Sequence, residues 1–495
     1  MPQKNTFVSI LIVTLLAIQF NVFAAPPRRP NIIFIITDDQ LPHTFNFLPE
    51  GRGNNLTPNL DRLANEGTIL MGQHVSSSVC TPSRYSCLTG TYASRALAHA
   101  KRKYDDVHGI GWNTHIMPDT TTLPKMLRDA GYVTGAVGKN HVIDVPGWPK
   151  IGWDADPNDA AVKSELARRA KMVKDAYHRA GFQYAERLYQ NNPDGNGIRK
   201  LAVHNLDWVT EGALEFIDQN ADQPFLLWYA TTVPHGPKEA KRSWNADRRV
   251  TADGILAKAP NVLPARDTIP KRLAAANLPK AESGKDDRAN MLWLDDAVGA
   301  MMKRLEDRKI DDNTIIIYFN DHGQAAKGTV YQSGAHNPSV IWRKKRFACG
   351  PSSDALISNI DFAPTILDMA GVEIPASGFD GKSFLPLLEG KTDQHHDALF
   401  FEIGYTRAIL KDGFKYIALR YPKQAVNMSL KERKKVLHNY NARQRKHDKP
   451  TSPKIPAHRS AMCRSFPVVA EPNTDRWAST PRTTTPISFT TFEAI

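Results

Sequence analysis

The sequence predicts an α/β protein: a central, mostly parallel sheet flanked by helices, with a smaller antiparallel sheet towards the C-terminus. Three observations predict it. Apolar runs at 31–36, 132–137, 224–230 and 313–319 are short and continuous, the pattern of strands buried on both faces. Stretches of helical periodicity lie between them, as crossovers between parallel strands require. Finally, 399–402 and 407–417 read as antiparallel strands turning at Asp412-Gly413.

The chain has 495 residues, 41% of them hydrophobic, enough for one large or two unequal domains. Lys4, an apolar run over 7–20 and the small residues Val22 and Ala24 read as a signal peptide, 1–24, and predict a secreted or periplasmic protein. The run is short for a bilayer span, so no stable membrane anchor is expected. Four cysteines are too few for a disulfide framework, and Cys87, Cys349 and Cys463 are expected in the core or free. Net charge is +13, but residues 423–495 hold 14 Lys+Arg against 5 Asp+Glu and so carry +9 of it. A mildly basic body argues against nucleic acid as partner and suits an enzyme acting on anionic esters.

Taken in order, the first strand runs into Asp38-Asp39-Gln40. Two adjacent carboxylates at the end of a buried strand are costly unless a cation or hydrogen-bond donors meet them; the alternative is a capped loop. Thr57 caps, Pro58 starts and Gly67 ends a short structural helix. Next comes Cys80-Thr81-Pro82-Ser83-Arg84, followed by Leu88-Thr89-Gly90. Pro82 suits a first helical turn. Cys80 is then expected just before the helix, where free N–H groups and the dipole favour an anion, with Arg84 one turn on aiming its fork at the same anion. That makes Cys80 a candidate nucleophile; the alternative is a small buried residue. A helix over 121–130, with Leu123, Met126 and Leu127 on one face, stops at Gly131.

The strand at 132–137 leads into Gly138-Lys139-Asn140-His141. Residues 143–220 read as helical, broken by a surface loop at 193–197. The strand at 224–230 ends at Val233-Pro234-His235, a structural or catalytic histidine. Polar, proline-rich 238–285 reads as loops shaping a pocket. A helix is expected over 291–305, with Asp295 and Asp296 on its solvated face. The strand at 313–319 delivers Asn320-Asp321-His322-Gly323, then Lys327-Gly328-Thr329-Val330-Tyr331-Gln332-Ser333-Gly334.

The Cys-Thr-Pro-Ser-Arg run with Leu88-Thr89-Gly90 resembles the signature of the type I, formylglycine-dependent sulfatases, of the alkaline phosphatase-like superfamily. Further segments in matching order extend the resemblance from about Asn31 to Tyr416. It implies that Cys80 is oxidised to formylglycine by a formylglycine-generating enzyme, which reads Pro82 and Arg84. It implies a divalent cation, Ca2+ or another, held by Asp38, Asp39, residue 80, Asp321 and His322. It gives Lys139 and Lys327 the sulfate oxygens, His141 a place by the nucleophile as base, and His235 the role of general acid on the departing alcohol. Histidine at 322 leaves the metal open, since calcium prefers oxygen, and His336 replaces an expected Arg-like residue. The implied function is an exported sulfatase acting on a sulfated carbohydrate. The alternatives are a phosphodiesterase or phosphonate monoester hydrolase of the same superfamily, or a noncatalytic binding protein.

The segments at 358–367 and 380–388 close the large domain. The expected division is a catalytic domain over 25–392, a small and incomplete subdomain over 393–449 and an irregular tail over 450–495. Suitable codons for 482–492, read in another frame, spell a phrase resembling the C-terminal segment of that family. The tail is therefore expected to be a frameshifted translation, which resequencing the gene checks.

Overall fold

The computed structural model describes residues 28–100, 108–276 and 287–446; the expected signal peptide, Cys463 and the expected 450–495 tail fall outside them. Strand β1, Asn31–Asp38, is buried along its whole length because it feeds two cores at once. Ile32, Phe34 and Ile36 enter the core on one face, Ile33 and Ile35 the core on the other. The period-two alternation of a strand does this. It also explains why the stretch from Ile32 to Ile36 carries no polar residue.

The remaining strands of the large sheet are β2 (Thr68–Leu70), β3 (Val133–Lys139), β4 (Tyr184–Tyr189), β5 (Phe225–Pro234), β6 (Thr314–Asn320), β7 (Ser339–Arg343) and β8 (Ser352–Ser353). Their order is β8-β2-β7-β6-β1-β5-β3-β4. Strands β6, β1, β5, β3 and β4 are mutually parallel, and β7 is antiparallel to β6 and β2. A second sheet of β9 (Ala398–Ile403), β10 (Thr406–Lys411) and β11 (Phe414–Leu419) is antiparallel throughout, with Asp412 and Gly413 both at positive φ in the β10–β11 turn. The predicted class and both sheets are therefore present.

The longer helices are α1 (Pro58–Glu66), α2 (Cys80–Thr89), α3 (Leu123–Asp129), α4 (Ala160–Arg179), α5 (Leu206–Gln219), α6 (Ile269–Ala275), α7 (Arg288–Asp307), α8 (Phe362–Met369) and α9 (Leu430–Lys446). Four local expectations need correction. The 143–220 stretch contains strand β4 as well as helices, and 238–285 contains α6 among its loops. Thr57 makes no capping bond; its hydroxyl is buried without a partner. Asp295 and Asp296 are buried rather than solvated. Asp295 caps α1 from a distance, accepting from the backbone N–H of Asn59 (3.1 Å) and of Leu60 (2.8 Å), while Asp296 grips Arg272 with both oxygens, at 2.7 and 2.6 Å. Helical periodicity reports a buried face only through apolar residues, so a buried carboxylate serving a neighbouring helix is invisible to it.

Asp295→Ala strips those acceptors from the start of α1. It is expected to destabilise the protein by about 1–3 kcal/mol, the cost of leaving buried donors unmet, read as a lower urea midpoint at unchanged slope.

The small sheet is not peripheral to the large one. Leu399, Phe401, Ile403, Ala408 and Leu410 pack with Val79, which precedes α2, and with Val330 and Ala335. Lys415 donates to the carbonyl of Val330 at 2.9 Å, and the N–H of Glu402 to that of Ser76 at 2.8 Å. The sheet thus braces both the mouth of α2 and the loop carrying Lys327. Among the described residues no helix is long and apolar enough to cross a membrane, and Cys80, Cys87 and Cys349 are free thiols.

Candidate active site

The parallel strands β6, β1, β5, β3 and β4 lie side by side, so their C-terminal ends form one rim. Open α/β sheets place their sites at such a rim. The sequence turns polar there at four of the five: Asn320 ends β6 with Asp321-His322 after it, Asp38-Asp39 at β1, His235 after β5, and Lys139 at the end of β3. Gly138 permits the approach of β3 to β5. It sits at φ +89°, and a Cβ there would come within 1.8 Å of the carbonyl oxygen of Ala230. Asp39 and His141 both adopt φ +63°, a left-handed conformation that costs a non-glycine residue about 1–3 kcal/mol and clusters at functional sites.

Helix α2 points its N-terminus at the rim. Val79 is its extended N-cap and Cys80 its first residue, so the helix starts one residue earlier than expected. All ten of its residues are buried, and Asn359 clamps it by donating to the carbonyl and hydroxyl oxygens of Ser83, each at 3.1 Å. The Cys80 Sγ lies 3.5 Å from Asp38 Oδ1, 3.6 Å from His322 Nε2 and 3.5 Å from Lys327 Nζ. Five ligand atoms, from Asp38, Asp39, Cys80, Asp321 and His322, lie within 4.8 Å of one another.

The charges interlock. Lys139, fully buried, is hydrogen-bonded to Asp38 Oδ2. Lys327 donates to Asp39 Oδ1 at 2.5 Å. His322 Nε2 is 3.1 Å from Asp39 Oδ1 and 3.5 Å from Asp321 Oδ1. Burial raises the Asp38 carboxyl, but Lys139, His235, Arg84 and Lys327 outweigh it and leave it well below the usual carboxylate range. Asp39 is likewise lowered against its burial, chiefly by His322. Burial alone would lower His322; Asp321, Asp39 and Cys80 instead push it up to about 10, so a proton and a cation compete for the same Nε2.

Two expectations change. Arg84 aims its fork at the Asp321 carboxylate, a member of the Cys80 cluster, rather than at a separate anion at the helix mouth. Its Nε and Nη2 donate to Asp321 Oδ2 at 3.2 and 3.1 Å, and Nη2 also to the Thr37 carbonyl at 3.3 Å. One turn of helix carries residue 84 beneath the rim, so its fork locks a carboxylate instead. Nor is the Cys80 thiol activated by its position. Burial, Asp38 and Asp321 push it up, outweighing Lys139 and Lys327.

His235 stands at the outer edge, its Nε2 3.4 Å from Asp39 Oδ2. His141 stands further back, its Nδ1 buried without a partner. Burial, then the Lys139 charge, hold it well below the usual histidine range and so neutral. Sequence reasoning missed Asn192, whose Nδ2 lies 3.1 Å from His235 Nε2. It follows β4, the strand read as helical, so nothing marked it as a strand-end residue. It also missed Asn320 as a brace: its Oδ1 accepts from the Gln40 N–H at 3.0 Å and the Thr37 hydroxyl at 3.2 Å.

The donor set fits a divalent cation. Three buried carboxylates supply hard oxygen, as calcium requires, and one imidazole admits a softer ion. Arg84, Lys139 and Lys327 already balance three carboxylates, so a bound cation would leave the rim net positive and attractive to an anionic ester.

The family model described as Sulfatase matches residues 30–372, and one described as N-sulphoglucosamine sulphohydrolase, C-terminal, matches residues 320–436. An N-acetylglucosamine-6-O-sulfatase of Bacteroides thetaiotaomicron is 27% identical over 464 residues, covering 78% of this chain and 76% of that protein. An ulvan-active sulfatase of Formosa agariphila is 27% identical over 424 residues, covering 83% and 64%. Among solved structures, one in complex with its substrate D-glucosamine-2-N,6-O-disulfate aligns with TM-score 0.52 at 21% identity, covering 85% of this chain and 98% of that one. A phosphonate monoester hydrolase from Silicibacter pomeroyi aligns with TM-score 0.52 at 21% identity, covering 85% and 96%. At that identity the two structures speak for the fold alone.

Proposed function

Since the chain belongs to the sulfatase family, whose members are sulfuric ester hydrolases, we propose that it is an exported sulfatase that removes sulfate from a sulfated carbohydrate, with residue 80 as nucleophile. One observation carries this: a single side chain at the mouth of a fully buried helix, within 3.6 Å of an aspartate, a histidine and a lysine drawn from separate segments. The sulfated sugar is inferred from what the relatives are named for. A plain Cys80 thiol would lack the second hydroxyl needed to release sulfate and would stall as a thiosulfate ester, which supports maturation of Cys80 to formylglycine.

Formylglycine supplies, as its hydrate, an attacking oxygen and a second hydroxyl on the same carbon through which sulfate is released. A divalent cation, held by Asp38, Asp39, Asp321 and His322 with residue 80, supplies charge neutralisation at the sulfate oxygens. The chain's own residues do the rest. Lys139 and Lys327 stabilise the charge that spreads over the sulfate oxygens in the transition state. Asp321 helps to take the proton of the attacking hydroxyl. His235 gives a proton to the departing alcohol, held in place by the Asp39 carboxylate 3.4 Å from its Nε2 and the Gly236 carbonyl 3.0 Å from its Nδ1. His141, neutral and with a free Nδ1, serves as base for the release step. Arg84 fixes Asp321 from below.

The test is sulfate release from a panel of sulfated sugars, beside matched phosphate esters, with a Cys80→Ala control. Faster turnover of the phosphate esters would replace this reading by the phosphoester one. His235→Ala is expected to slow alkyl sulfates by roughly a hundredfold to ten-thousandfold, the usual weight of general acid catalysis. Aryl sulfates, whose phenol leaves without help, should lose far less. Equal losses on both would remove His235 from that role.

A further inference from the structure

His395 and His396 stand side by side just before β9, and the sulfate chemistry has no use for them. Neighbours in an extended chain point to opposite sides, yet both rings here turn their Nε2 to one atom. Asp361 Oδ2 lies 2.9 Å from His396 Nε2 and 3.4 Å from His395 Nε2. The three ligand atoms lie within 4.8 Å of one another. The His395 side chain is only 5% exposed, and its Nε2 is buried without a hydrogen-bond partner. Its ring is set edge-on against Phe384 and against His396, with centroids 6.0 and 4.3 Å apart. Asp361 is fixed as firmly: its Oδ1 accepts from the Lys382 N–H at 3.0 Å and its Oδ2 from the Ser358 N–H at 2.8 Å.

Such convergence is costly without a cation. The Asp361 oxygen already takes a backbone N–H and the His396 ring, so the His395 nitrogen is left desolvated with only a long 3.4 Å approach to that crowded oxygen. A metal ion among the three resolves this. Ligands about 2.0–2.1 Å from zinc, at angles between a right angle and the tetrahedral one, stand about 2.9–3.4 Å apart, which spans the two separations observed. Two imidazoles and one carboxylate are too rich in nitrogen for calcium and suit zinc or a similar ion, with water in a fourth position.

We propose that Asp361, His395 and His396 form a second metal site, separate from the Cys80 centre, that binds one zinc-class divalent ion. Its place in the fold makes it a clip. Asp361 precedes α8 in the body of the large sheet, whereas the two histidines lead into the small sheet that braces the Cys80 helix.

The test uses the full chain, stripped with chelator, saturated with zinc chloride and passed through gel filtration. Wild type is expected to retain one equivalent of zinc more than the double variant His395→Gln/His396→Gln, whatever the Cys80 centre takes up. The variant should keep its far-ultraviolet circular dichroism and its sulfate release with calcium. Equal zinc retention by the two proteins overturns the proposal. Should the variant not fold, X-ray absorption on wild type loaded with one equivalent of zinc in excess calcium decides. Two imidazoles around the zinc support the site, since the Cys80 centre offers one; a single imidazole or none overturns it.

Discussion

Cys80→Ala is expected to abolish turnover of sulfate esters, by roughly ten-thousandfold or more, while leaving the fold intact. Loss of a covalent nucleophile removes the reaction's first bond-forming step, and such losses are among the largest single-residue effects known in catalysis. The fold should survive because Cys80 spends little on packing: its Sγ meets three polar groups, and α2 is held along its length by its own burial and by Asn359. The measurement is sulfate release under single-turnover and steady-state conditions. Mass spectrometry of the peptide containing residue 80 in wild type should show the oxidised residue. Wild-type activity from a protein whose Cys80 remains an unmodified thiol would remove formylglycine from the mechanism. Full activity of Cys80→Ala would remove residue 80 altogether.

Asp321→Asn should cost both stability and cation binding. The substitution keeps the shape of the side chain and removes its charge. In the wild-type site Asp321 accepts two hydrogen bonds from Arg84, and both partners are inaccessible to water. A guanidinium left in that position retains Asp38 at 3.9 Å as its remaining carboxylate neighbour, while its Nη1 already lacks a partner. Breaking a buried ion pair from one side typically costs about 3–5 kcal/mol, to be read from denaturant unfolding in the presence of chelator. Calorimetry should show calcium affinity reduced as well, since one of the hard oxygen donors is gone. Unaltered stability with unaltered affinity would mean that Asp321 neither anchors Arg84 nor holds the ion. Loss of stability with intact affinity would confine it to the first role.

The residues of the site were legible because each closes an apolar run. A carboxylate pair after 31–36, a lysine after 132–137, a histidine after 224–230 and an Asp-His pair after 313–319 are conspicuous breaks in hydrophobicity, and such breaks survive in sequence whatever the tertiary contacts. The Cys80 stretch was legible for a different reason, the rarity of its residue pattern. Strand β4 was missed because only Ala185, Leu188 and Tyr189 of its six residues are buried. An edge strand with three half-exposed positions lacks the continuous apolar signal, and Asn192 was lost with it.

By itself the sequence determined the α/β class, the strands that end in polar residues and the chemical character of those ends, because buried parallel strands and their termini are written in local hydrophobicity. It did not determine partnership. Strand order brings the end of β6 beside that of β1, and the packing of α2 against that rim pairs Asp321 with Arg84. The same long-range packing buries Asp295 under α1 and turns His395 and His396 towards Asp361. These pairings join residues far apart in the chain, and their energies come from desolvation and charge that exist only once the sheet and its helices have closed around them.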